Sequence, residues 1–420
     1  MACAPVYETR PVRIQRDIKH IASLGKDKAG RTCFTYSQQD KDVRDFLIET
    51  LQGLNLSIAV DGVGNIRARY EGKNPDAPIV MSGSHIDSVR QGGKFDGVAG
   101  VVAALEVVRT MVDEGIVPIH PVEVVIFSEE EGSNFGPCCA GSKTMIGRYT
   151  VKDLKKLKNP AGMSMYTMAQ ECGYNPDSMP NSVLRPGDVK AFLELHIEQG
   201  PSLDAAGVPI GIVEAINGLR QMRVDVQGVA NHAGGTPMAL RQDSLLAASR
   251  MILAVEEIVR KEGADTTVGT VGHIECSPNV WNIIPGRATF SIDIRDVCEK
   301  TMDRIVEKVK ERIQDIATAC HVESRISSLA SLEAVRLSPQ VIEVLEKKAK
   351  ELGTPYKKIN SGAVHDAVLL RSITDVGMIF VPSIGGRSHC PEEETDVEDI
   401  KKGADILLAS ILELAGFVKE

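Results

Sequence analysis

A short, β-branched apolar run, Ile79 to Met81 after Pro78, passes directly into Gly83-Ser-His-Ile-Asp-Ser-Val-Arg-Gln-Gly-Gly-Lys-Phe-Asp-Gly97. This junction constrains the fold more than any other part of the chain. The run is too short for a buried helix and reads as an interior strand. The loop behind it sets His85 and Asp96 on either side of a glycine-rich turn, which is how the carboxyl end of a strand in an α/β sheet presents ligands. One histidine and one aspartate taken alone more often make ordinary hydrogen bonds than bind metal, so the pattern has to recur to mean more.

It recurs three times. Glu129-Glu-Glu-Gly132 follows an apolar strand at 122–127, His196-Ile-Glu198-Gln199-Gly200 follows one beginning at Ala191, and Gly385-Gly-Arg-Ser-His389 follows one at 376–381. Taken singly, three glutamates also read as a solvated charge run and His196 as a satisfied core histidine. Neither explains why such segments recur at four strand ends. Three histidines and two carboxylates gathered there suit zinc or manganese, whereas magnesium and calcium take mainly oxygen ligands.

The remaining pattern describes the scaffold. Ser37 followed by Asp40 resembles a helix N-cap before 43–51, residues 65–70 alternate as a strand, and the Ala-, Val- and Leu-rich 97–111 reads as a buried helix. Strands alternating with helices predict an α/β domain with a mostly parallel sheet under helical layers. Residues 150–188, polar and proline-containing, read as a surface excursion. From about Ile212 the order becomes strand (213–226), helix (244–261), strand (267–275), strand (287–295), helix (301–320), strand (323–329). That is the β-α-β-β-α-β, ferredoxin-like arrangement, with a sheet edge open to pairing. A helix at 339–352, the strand at 376–381 and a helix at 397–414 then return to the first style. The expected division is therefore 1–211 and 331–420 for one domain and 212–330 for a second inserted into it.

Composition narrows the function. A chain of 420 residues exceeds one compact core. Its net charge of −9 gives no basic footprint, which argues against nucleic acid and anionic membrane surfaces as partners. No apolar run is long enough to span a bilayer, and the first 17 residues lack the apolar segment of a signal peptide, so a cytoplasmic protein is expected. Nine cysteines without a Cys-x-x-Cys argue against a disulfide framework or thiolate zinc site. Gly92-Gly-x-x-x-Gly97-x-x-Gly100 lacks dinucleotide-loop spacing, and Gly136-x-x-x-x-Gly141-Ser-Lys-Thr is one residue too long for a phosphate loop.

Segments 83–100, 128–135, 193–200, 230–241, 282–295, 361–367 and 385–392 resemble the metal-dependent amidohydrolases related to the M20 peptidases. The similarity lies with the branch of N-carbamoyl-L-amino acid hydrolases, allantoate amidohydrolases and β-ureidopropionases. Glu129-Glu-Glu-Gly-Ser and His196-Ile-Glu-Gln-Gly carry the branch assignment. The resemblance implies a metallopeptidase-like catalytic domain with an inserted dimerisation domain, and two divalent metal ions per subunit, zinc or manganese, with cobalt or nickel also accepted. Asp96 would bridge them, with His85 and His196 on one metal and Glu131 and His389 on the other. It further implies Glu130 as general base and Asp87 as a carboxylate orienting an imidazole, with a plain turn-capping role for Asp87 equally open. His232 would be the oxyanion donor reaching a neighbouring subunit's site. Gln199, Asn282 and Arg295 would be substrate-binding residues, although Arg295 could instead pair with Asp293 or Asp296.

One position departs from the family. Ser361-Gly-Ala-Val364-His365-Asp366-Ala has valine where the family reads glycine, so either the position needs no positive φ or the loop carrying His365 is shifted. The expected protein is a homodimeric hydrolase of linear amide bonds. It would cleave the ureido amide of small N-carbamoyl-L-amino acids, releasing ammonia, carbon dioxide and the amino acid. Allantoate and β-ureidopropionate are the neighbouring substrates. A peptide or acyl-amino-acid hydrolase and a non-catalytic dimeric scaffold are the more remote alternatives.

Overall fold

The computed structural model describes residues 7–419, which divide into two compact units. One comprises the chain up to Glu214 and again from Leu337, and the other is Ala215–Arg336.

The larger unit is built on a nine-stranded sheet. Its centre is four parallel strands in the order Val122–Phe127, Ile79–His85, Val189–Ile197, Asp375–Val381. Every residue of the first two is buried, as expected of a strand covered on both faces. The outer pairings are antiparallel. Ile66–Tyr70 pairs Val122–Phe127 and Ser57–Val60 at one side, and Ile210–Ile216 pairs Asp375–Val381 and Val335–Arg336 at the other. The sheet is thus mixed, and the expectation of a mostly parallel one holds only for its middle. Only 57–60 and 66–70 are joined by a short, hairpin-like connection, which antiparallel strands allow, while the other flanking pairs bring together distant parts of the chain.

Helix Val98–Asp113 is mostly apolar and buried nearly all round, and packs on Ile79–His85 while touching helices Pro11–Leu24 and Val397–Ala415. Helix Gln38–Gln52 starts where Ser37 Oγ accepts the Asp40 N–H. The 150–188 segment is more than a surface excursion. Its Leu154, Met165, Ala169 and Met179 are buried in a small core with Tyr36, Val63 and Phe135. The pattern hides this because the apolar residues are spread over three short helical pieces, none long enough to show a period.

The inserted unit is a five-stranded antiparallel sheet under two helices, Ser244–Glu262 and Glu299–Ala319. Val224 and Val226 face the helices while Arg223 and Asp225 alternate outward, the period of two that a half-covered strand requires. Two strands read as single are each divided. The run 213–226 breaks at Asn217 between Ile210–Ile216 in the large sheet and Gly218–Gln227 in the small one. The run 267–275 becomes Val268–Thr270 and Ile274–Ser277, both paired to Arg287–Asp296. Glu323–Leu332 ends the sheet, paired on one side only and bulged at Leu329. Among the described residues no helix is long and apolar enough to cross a membrane, and eight cysteines are free thiols.

Beneath the large sheet, Asp17, Glu106, Arg13 and Arg109 form a buried ion network. Asp17 bonds Arg109 directly, and Glu106 takes two bonds from Arg13, at 3.0 and 2.6 Å. Removing one partner of a buried pair strands the other charge. Asp17→Ala should therefore lower stability by about 3–5 kcal/mol, read as a fall in the urea midpoint, whereas a surface deletion such as Asp45→Ala should cost under about 1 kcal/mol.

Candidate metal centre

Four parallel strands end on one edge, and that edge carries the polar segments. His85 is the last residue of its strand, His196 the penultimate residue of its own, and Glu129, Glu130 and Glu131 follow the strand ending at Phe127. His389 follows the turn after Val381. Asp96 comes back to the edge on the loop ahead of helix Val98–Asp113. Unusual backbone conformations turn these side chains inward: Glu129, Gln199 and His389 have φ of 53°, 56° and 56°. Non-glycine residues seldom adopt such values, and they cluster at functional sites.

Asp96 lies at the centre. Its Oδ1 is 3.8 Å from His85 Nε2 and 3.3 Å from His196 Nε2, while Oδ2 is 2.9 Å from His389 Nε2. His389 Nε2 is in turn 3.5 Å from Glu131 Oε2. Two triads result, His85–Asp96–His196 and Asp96–Glu131–His389, each with its ligand atoms within 4.8 Å of one another. Ligands held at 2.0–2.1 Å around a tetrahedral zinc sit roughly 3.3 Å apart, so the spacing fits a first-row divalent ion. A third group, Glu194–His196–His365, shares His196 with the first.

The hydrogen bonds support the same fit. His85 Nδ1 lies 3.1 Å from the Asp87 carbonyl and His196 Nδ1 3.0 Å from the Ile197 carbonyl. A carbonyl accepts only, so each Nδ1 carries the proton, and in the neutral ring Nε2 is a bare lone pair. His196 Nε2 and Glu131 Oε1 are buried without a hydrogen-bond partner. Bare lone pairs and carboxylates turned on one another repel unless a cation lies among them. These residues therefore fit a pair of divalent metal ions.

The ionisation tendencies agree. Burial, then the neighbouring Asp96, pushes Glu131 up to about 8, and burial pushes Glu130 well above its ordinary value. Burial opposes charge on His85, but Glu130, Asp87 and Asp96 outweigh it and favour the cation. Burial holds His196 down to about 4, keeping it neutral and ready to ligate. Burial also works against the Asp96 carboxylate, yet the His389 hydrogen bond and the other two imidazoles hold it well below the usual range. The raised Glu130, Glu131 and His85 mark a shortage of positive charge, whereas His196 is held down by burial and Asp96 by the imidazoles already beside it.

The other sequence-derived residues divide between the two units. In the larger unit, Asp87 accepts the Glu130 and Glu131 N–H groups at 3.1 and 3.0 Å and keeps its carboxylate 3.6 Å from His85 Nδ1, so turn-capping and imidazole contact are combined. Gln199 Nε2 donates to Asp96 Oδ2 at 3.0 Å. Glu130 Oε2 is 3.7 Å from His85 Nε2. In the inserted unit, His232 lies on Asn231–His232, paired with Ile283–Ile284, and the Asn282 carbonyl accepts the Ala233 N–H, so His232 and Asn282 are neighbours. Arg295 lies near the other end of its strand with its fork on Asp293, at 2.8 and 3.1 Å, the pairing that the sequence left open. Val364 is not among the described residues with positive φ, and the adjacent His365 reaches Ser361 Oγ at 2.9 Å.

The sequence reading missed Gly97, Glu393 and Arg44. A Cβ on Gly97, whose φ is +68°, would lie 2.5 Å from the His85 ring. Glu393 Oε1 accepts the Phe95 and Asp96 N–H groups. Buried Arg44 ties Asp40 to Gly64 and Ser128 at the root of the Glu129 loop. Glycine directly after a ligand was the one signal available for any of them.

The sequence profile described as "Peptidase family M20/M25/M40" matches residues 81–413. The N-carbamoyl-L-amino acid amidohydrolase of Geobacillus stearothermophilus is 39% identical over 404 residues, covering 96% of this chain and 98% of that one. The allantoate amidohydrolase of Escherichia coli is 33% identical, covering 96% and 97%. A crystal structure of an amidase of the hydantoinase/carbamoylase family from Burkholderia multivorans superposes with a TM-score of 0.92 at 33% identity, over 98% of this chain and 99% of that one.

Gly97→Ala forces a methyl into the His85 ring. Metal affinity should fall about 10- to 100-fold, the scale seen when ligand-supporting groups are lost, measured as metal retained after dialysis against graded chelator. Retention equal to wild type would show that His85 has room to move.

Proposed function

The chain belongs to peptidase family M20/M25/M40, and on that premise we propose that it is a dinuclear metal-dependent amidohydrolase of N-carbamoyl-L-amino acids. One observation carries the reading: the two Asp96 oxygens face different ligand sets, Oδ1 toward His85 and His196 and Oδ2 toward His389. That is the disposition a bridging carboxylate needs. His85 and His196 would hold one ion and Glu131 and His389 the other. When bound, such ions supply Lewis acidity, polarising the ureido carbonyl and acidifying a water.

The chain's own groups do the rest. Glu130 would take the water's proton on a carboxylate oxygen and pass it to the leaving nitrogen, so that ammonia departs neutral. The carbamate left behind decomposes to carbon dioxide and the amino acid. Asp87 keeps Glu130 and Glu131 in place by accepting their backbone N–H groups. His232 suits oxyanion stabilisation because its Nδ1 accepts the Gly234 and Gly235 N–H groups, at 3.1 and 2.9 Å, which makes Nε2 the protonated, donating nitrogen. We assign that donor to a second copy of the chain in a homodimer, consistent with the open edge of Glu323–Leu332. Asn282 and Gln199 would fix amide and carboxylate groups. Arg295 would hold the substrate carboxylate in exchange for Asp293.

Ammonia release by manganese-reconstituted protein, with N-carbamoyl-L-methionine and allantoate run in parallel, is the direct assay. Release mainly from the carbamoyl amino acid is expected, and release mainly from allantoate would transfer the same mechanism to the other substrate. Glu130→Gln should keep its metal and lose about 100- to 10,000-fold in kcat. His232→Ala should lose about 100-fold or more. Mixing these two variants should restore activity absent from either alone if His232 acts across subunits; no recovery would place it within its own subunit.

A further inference from the structure

The two proposed ion sites are not held alike. His85 and His196 lie at strand ends and are buried, whereas His389 sits on a loop, its side chain 47% exposed and its φ in the left-handed region. A ligand so placed keeps its position only if its surroundings hold it. Glu393 supplies that hold. Its Oε2 accepts the hydroxyl of Ser388, the residue before His389, at 2.9 Å, while Oε1 accepts the Phe95 and Asp96 N–H groups at 2.8 and 3.1 Å. One carboxylate thus fastens together the two loops whose ligands meet at 2.9 Å, His389 Nε2 against Asp96 Oδ2.

Glu393 has no role as a surface charge. It is 1% exposed, and while its neighbours Glu392 and Glu394 pair with Arg387 and Lys94, it makes no ion pair among the described residues. A buried carboxylate without a cationic partner is costly, and this one is the meeting point of three donors that only an acceptor can satisfy. Gly93 leaves the room for it, since a Cβ there would lie 2.0 Å from Glu393 Oε1. We propose that Glu393 is a positioning residue for one ion alone, the one assigned to Glu131 and His389, and that the ion between His85 and His196 does not depend on it. The inference rests on the two-ion reading above. Without Glu393, Phe95 and Asp96 stay anchored to the helix that follows, because their carbonyls accept the Ala99 and Val98 N–H groups at 2.8 and 2.7 Å. The His389 loop is the one released.

The test uses the cobalt-loaded full chain, dialysed against graded chelator, with cobalt per subunit and its visible absorption read together. Glu393→Ala should release one ion at about 10- to 100-fold lower chelator than wild type, while the other stays within about threefold. Gly93→Ala drives a methyl into the same carboxylate and should have the same selective effect, so either variant that folds is sufficient. In a His389→Ala background, where only the ion between His85 and His196 keeps its ligands, Glu393→Ala should change nothing further. Equal weakening of both ions in a folded variant would make Glu393 a general support of the fold and overturn the proposal, as would release unchanged from wild type. One cobalt or none per wild-type subunit would instead overturn the two-ion reading, and this inference with it.

Discussion

The structure depends on one electrostatic constraint: imidazole lone pairs and carboxylate oxygens face one another, all of them largely buried except His389. His85 and His196 have their outer nitrogens tied to backbone carbonyls, so neither can turn away. Asp96 is fixed between them and His389, and its backbone is pinned by Glu393. A cluster so arranged is tolerable only with positive charge in its midst. Hence the preparation around it: Asp87 capping the glutamate loop, Arg44 fastening the root of that loop, and Gly97 making room for a ring.

The backbone answers the same need. Parallel strands place their carboxyl ends on one edge, so groups from four distant parts of the chain meet without any long loop having to find its way. Short strands cannot also turn a side chain inward, and the left-handed conformations at Glu129, Gln199 and His389 do that instead. Such conformations hold only where the surroundings enforce them. Gln199 has its N–H bonded to Ser383, and the Glu129 carboxylate takes the Asn134 and Phe135 N–H groups.

Much of this was legible in the residues. Strand ends followed by His-x-Asp, Glu-Glu-Glu-Gly and His-x-Glu-Gln-Gly are a local signal, and the resemblance supplied which carboxylate goes with which histidine. The alternation of strand and helix gave the order of elements in both units. What escaped was non-local. The antiparallel flanks depend on which strands become neighbours, and the division of 213–226 depends on where the chain leaves one sheet for another, which periodicity does not record. The small core beneath 150–188 was hidden because residues far apart in sequence, such as Tyr36 and Met165, share it. Arg44, Arg31 and Glu393 look like ordinary surface charges until burial is known. Valine at 364 proved a matter of local backbone, since its neighbourhood needs no left-handed residue.

The order of strands in the large sheet differs from their order along the chain, and this sets a timetable. Asp375–Val381 takes its place beside Val189–Ile197, yet the whole inserted unit is synthesised between them. The small antiparallel unit has all its strands within one continuous stretch and can be complete while the large sheet still lacks a central member. Until that member emerges, the apolar flank of Val189–Ile197 lies open, and His389 has not yet been made. A nascent chain therefore acquires His389 only after the whole inserted unit has been made, and a chain cut short before that point carries an exposed sheet edge and an incomplete candidate site.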